Sequence, residues 1–119
     1  MVYANRAAHC LASWDHVESI LRHGQINEGR GDRLLNLISR LRAAGHDRRL
    51  LARRTWHAAL VLVRSRNRVI GPKEPVIVFV CRGDRLVAFM GTSELFRACR
   101  VEEGALPLQL TKALSLLAD

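Results

Sequence analysis

The apolar residues of this chain follow two kinds of spacing, and the switch between them lays out a fold. Trp14, Val17, Ile20 and Leu21 recur at helical intervals, Ser13 offers a capping hydroxyl before them, and Gly24 is placed to end the run. After the polar stretch "QINEGRG", Asp32 offers a second cap. Leu34, Leu37, Ile38 and Leu41 then keep the i, i+3, i+4, i+7 pattern, and Gly45 is a natural stop. Two N-terminal helices are therefore expected.

Beyond Gly45 the spacing is ambiguous before it becomes that of strands. "DRRLLARR" has helical composition and predicts a helical turn or two through about Arg54. "WHAALVLVRS" is a continuous apolar run; Val61 and Val63 suit a strand at about Trp56–Arg64, although so short a run leaves a helix open. Gly71, Pro72 and Pro75 interrupt regular structure. The clearest β signal follows, "PVIVFVC-RGD-RLVAFMG", in which Gly83-Asp84 fits a two-residue type II′ hairpin loop. Thr92 or Ser93 is read as the cap of a short helix carrying Leu95, Phe96 and Cys99. Pro107 opens a last helix with Leu110, Ala113, Leu114 and Leu117 on one face. The expected fold is one α+β domain over residues 1–119: two N-terminal helices, an antiparallel sheet of about three strands that includes a tight 76–90 hairpin, and C-terminal helices.

The hairpin loop dictates a register. Cys81 faces Leu86, Phe79 faces Ala88 and Ile77 faces Met90 on one side; Val80 faces Val87 and Val78 faces Phe89 on the other. Arg82 is set opposite Arg85, a like-charge pair. Both faces are apolar, whereas antiparallel sheets usually present one face to water. A face left without a helix predicts association, so a homo-oligomer, in the simplest case a dimer formed through the sheet, is expected.

Composition narrows the class. Half the residues are apolar and a quarter charged, the balance of a globular chain. No apolar run approaches the ~20 residues of a membrane span, and the N-terminal segment lacks the pattern of a secretory signal, so cytoplasmic residence is the expectation. Cys10, Cys81 and Cys99 have no paired spacing, and no C-x-x-C suggests zinc or redox chemistry. No cofactor is expected.

Charge is the strongest compositional feature: 17 Arg and 2 Lys oppose 11 acidic residues, a formal net of +8. Nine arginines lie between Arg40 and Arg68 against the single acid Asp47. Arg48, Arg49, Arg53 and Arg54, on a helix continued by a strand, would share a surface with Arg64, Arg66 and Arg68 beyond. Such a surface suits a phosphate backbone, where each neutralised phosphate releases counterions. Charge runs are also commonly plain solvated faces.

Catalytic signals are weak. His57, beside Trp56 within the arginine-rich segment, is the one acid–base candidate, since a basic patch with a histidine suits RNA cleavage. His9, His16 and His23 recur every seven residues, but two helical turns separate them by about 10.5 Å, too far for one metal ion. No metal site is expected. Glu102 and Glu103 are adjacent rather than spaced for paired acid/base work, and no phosphate-binding or nucleophile-elbow motif occurs. The order of two helices, antiparallel strands and a closing helix is loosely similar to the RelE-type ribonuclease toxins, which implies ribonuclease activity as a third reading. The chain departs from that family's cluster of Arg, Lys and Tyr near the C-terminus: Tyr3 is its one tyrosine, and Lys112 falls on the last amphipathic helix.

The pentapeptide RGDRL occurs twice, at 30–34 and 82–86, and the flanking sequence shares nothing at that offset beyond Ile26 and Val78. It serves as punctuation, a helix start in one copy and a hairpin turn in the other. Three functional readings follow. The first is a small basic non-catalytic protein contacting nucleic acid through residues 40–68. The second is a homo-oligomeric interaction or small-ligand module using its apolar sheet. The third is a RelE-like ribonuclease.

Overall fold

The described residues, 2–23, 30–55, 59–64, 74–82, 85–92, 95–101 and 106–118, form three helices and a five-stranded antiparallel sheet in the computed structural model. Helix α1 runs Val2–His23 and α2 runs Arg30–Ala43; a 3-10 turn at His46–Arg48 leads into the sheet. The strands are β1 (Leu50–Thr55), β2 (Ala59–Arg64), β3 (Val76–Arg82), β4 (Arg85–Thr92) and β5 (Leu95–Val101), and α3 spans Leu108–Ala118. Strand order in space follows chain order, so the sheet is a meander. The fold is α+β, with five strands where the pattern suggested about three, and with one described helix after the sheet.

The β3–β4 pairing is the one the hairpin loop dictates: Cys81–Leu86, Phe79–Ala88, Ile77–Met90, Val80–Val87, Val78–Phe89 and Arg82–Arg85. The turn itself, Gly83-Asp84, lies outside the described residues. Helix α2 stops as expected. Gly45 adopts the left-handed conformation (φ 88°), and its N–H donates to Arg42 O at 3.0 Å. In α3, the N–H groups of Leu110 and Thr111 both donate to Pro107 O at 3.0 Å, which seats the proline just before the first turn.

Several local expectations are corrected. Residues 50–55 are a strand and not helical turns. Leu, Ala and Arg favour a helix by under ~1 kcal/mol each; a six-pair ladder to β2 and burial of Leu50, Leu51 and Ala52 override that preference. The neighbouring strand accordingly starts at Ala59, and Trp56 falls outside the described residues. The helix expected after Thr92 or Ser93 is strand β5, paired along its length with β4. Its alternation is that of a strand: Cys99 and Val101 are buried, while Ala98 and Arg100 are exposed. Ser13 does not cap α1 but lies inside it, and α2 begins two residues before Asp32.

Ser13 has a longer-range partner. Its hydroxyl donates to Cys10 O at 2.6 Å and accepts the Ala52 N–H at 2.9 Å; one residue on, Trp14 Nε1 donates to Leu50 O at 2.8 Å. Two outward backbone groups of β1 are thereby satisfied by α1, which closes that edge of the sheet.

The core lies on one face. Leu50, Ala52, Leu60, Leu62, Ile77 and Phe79 of this inner face pack with the apolar stripes of α2 (Leu34, Leu37, Ile38, Leu41) and α3 (Leu110, Leu114, Leu117), and with Trp14, Val17 and Leu21 of α1. On the outer face a smaller cluster joins Leu51, Val61, Val63 and Val76 to Cys10 of α1. No described helix is long and apolar enough to cross a membrane.

Candidate functional site

Strand alternation sorts the arginines that composition grouped together. Arg53 and Arg54 are neighbours in β1 and so point to opposite faces of the sheet. Arg53 is exposed on the outer face; Arg54 is half-buried on the inner face, where its Nε is shielded and has no hydrogen-bond partner. Arg48 and Arg49 are exposed at the 3-10 turn and its exit. Arg64 shares the inner face and reaches Leu116 O through Nη2 at 3.5 Å. Arg66 and Arg68 lie outside the described residues, as does His57. The structure therefore spreads Arg48, Arg49, Arg53, Arg54 and Arg64 over the turn and both faces of the sheet. A helix carrying four of them on one surface does not form.

A different set converges on the outer face. The register aligns Arg53, Val61, Val78, Phe89 and Ala98 in one row across the five strands, and Val80, Val87 and Arg100 in the next. Val78, Val80, Val87 and Phe89 are half-buried, whereas Arg53, Arg85, Ala98 and Arg100 are exposed. Strands stand about 4.8 Å apart, so the face is roughly 19 Å across from β1 to β5. Helix α1 reaches this face through Cys10, and Val78 packs against the same small cluster. Neither Arg85 nor Arg100 has an ion-pair partner among the described residues. Sequence reasoning found the apolar part of this face from the hairpin register but missed Arg100. The signal was present in the alternation of "RACRV", once those residues are read as a strand.

Other charged groups are committed to structure. Arg42 donates through Nη1 to Asp15 (2.9 Å) and Glu18 (3.0 Å), and through Nε to Asp47 (2.9 Å). Burial works against its charge, but the carboxylate bonds outweigh that cost and hold the guanidinium protonated beyond its ordinary range. His46 is pulled below its usual value by burial and by Arg49, against the smaller opposing pull of Asp47. Burial pushes the Cys99 thiol up, and Cys10, Cys81 and Cys99 are buried thiols outside any disulfide among the described residues. Among the described residues no three His, Cys, Asp or Glu side chains are grouped to hold a metal ion. His9, His16 and His23 are exposed on α1.

No protein-family model, no curated protein and no solved structure matches this chain.

Proposed function

We propose that the protein is a non-catalytic binding module that holds single-stranded nucleic acid on the outer face of its sheet. The reading rests on one observation: a half-buried band of Val78, Val80, Val87 and Phe89 is flanked by exposed Arg85 and Arg100, with exposed Arg53 in the same row beyond Val61. Single strands are held by cations that track the phosphates and by side chains against which bases lie flat. An apolar band with an arginine border has both elements, and the net charge of +8 adds long-range attraction for a polyanion.

The test compares two double variants by fluorescence anisotropy with a labelled RNA of about a dozen nucleotides. Arg85→Ala/Arg100→Ala should weaken binding about tenfold or more, while Arg48→Ala/Arg49→Ala, at the 3-10 turn and its exit, should change it much less. Equal loss in both would assign binding to diffuse charge, and no loss in the first would remove the outer face from the account.

A second reading, self-association through the same surface, is favoured by the apolar band. It is disfavoured by the arginine border, because a second copy would bring the same cations to both sides of the contact. Light scattering on the eluting protein separates the two: a single 13.4 kDa species removes self-association.

A further inference from the structure

On the inner face, a cleft of about 310 Å³ opens between α3 and the sheet where β3 begins and β4 ends. That volume is at the lower end of sites for small molecules. Ile77, Met90, Ala113 and Leu117 give it apolar lining, and Arg64 and Arg97 line it as well, with no carboxylate among the described lining residues. Arg97 stands opposite Met90 in the β4–β5 register and is exposed. Arg64 is half-buried and poorly satisfied. Its contact with Leu116 O is at the long limit of a hydrogen bond, and its Nε is shielded without a partner. A shielded guanidinium N–H with no acceptor among the described residues costs free energy that a bound anion would offset. Leu116, at the rim, leaves its side chain 67% exposed where a ligand's apolar part could cover it.

We propose that this cleft binds a small amphipathic anion, with a charged head group at Arg64 and Arg97 and a short aliphatic body along Ile77, Met90 and Leu117. A bare inorganic anion would leave the apolar lining wet, and a neutral hydrocarbon would leave the two cations without a partner. The site occupies the face opposite the proposed nucleic-acid surface, so each can fail without the other.

Calorimetry and amide chemical shifts test it with four probes: octanoate, octyl phosphate, octanol and acetate. Saturable binding of octanoate or octyl phosphate is expected, shifting Ile77, Met90, Gly91 and Ala113, with octanol and acetate about tenfold weaker or more. The tighter of the two amphiphiles assigns the head group. Arg97→Glu, a change at an exposed position, should weaken the anionic amphiphile about tenfold and leave octanol unaltered. Equal affinity for octanol and octanoate, shifts confined to Val80 and Val87, an unaffected Arg97→Glu variant, or no saturable binding of either amphiphile would each overturn the proposal.

Discussion

Arg42 ties three segments together: two carboxylates of α1 and the buried Asp47 of the 3-10 turn converge on one guanidinium. The strength of this contact lies in Asp47, 8% exposed, and not in the solvated Asp15. Arg42→Met leaves that carboxylate without its cation and should destabilise the protein by about 2 kcal/mol; Asp15→Asn should cost less than about 0.5 kcal/mol. Urea unfolding of both variants checks the ratio. His46 adds a pH dependence. Its folded pKa is depressed, so below about pH 6.5 the unfolded chain binds a proton that the folded one resists. Stability should be intact above that pH and decline as pH falls toward the folded value. His46→Asn should flatten this part of the curve, and an unchanged slope in the variant would assign the titration elsewhere. At this scale the sequence was legible where a residue's job is local. Gly45 could be read as a stop because its left-handed conformation is a backbone property. The Arg42 cluster could not be read, since its α1 partners lie 24 and 27 residues away.

The same division holds among elements. Helix α2, helix α3 and the β3–β4 register were readable, because helical stripes and a two-residue loop carry their own geometry. Strand β1 was not, because its helix-favouring composition is overruled by pairing with β2 and by the side chains of α1. Ser13 shows why: a serine before an apolar stripe reads as a helix cap, yet its hydroxyl accepts an amide from β1, 39 residues on. Ser13→Ala removes that acceptor from a strand edge and should cost about 1–2 kcal/mol. Hydrogen exchange locates the effect: the Ala52 amide should lose protection more than amides of β4, and uniform loss across the sheet would contradict the edge-closing role. Strand β5 was missed for a different reason. Thr92 and Ser93 are good caps, and a cap signal was given more weight than the period-two burial of Cys99 and Val101.

For the whole molecule, what matters is how the three described helices are shared between the two faces of the five-stranded sheet. The inner face takes α2, α3 and most of the apolar stripe of α1; the outer face keeps an apolar band with arginines around it. The hairpin's apolar residues on both sides were legible in the sequence, and the half-buried Val78, Val80, Val87 and Phe89 are their outer-face members. Within the expected arginine surface over residues 40–68, alternation parts Arg53 from Arg54, while Arg66 and Arg68 lie outside the described residues. Exposed Arg53, Arg85 and Arg100 are placed on the outer face by three different strands, β1, β4 and β5. If this band and its arginines hold a single strand, a salt titration of RNA binding reports it. With Arg53, Arg85 and Arg100 each neutralising one phosphate, log affinity against log salt should fall with a slope of about −2 between about 50 and 200 mM, and Arg85→Ala/Arg100→Ala should flatten it by about 1.4. A slope near zero, or one that the double variant leaves unchanged, would contradict it.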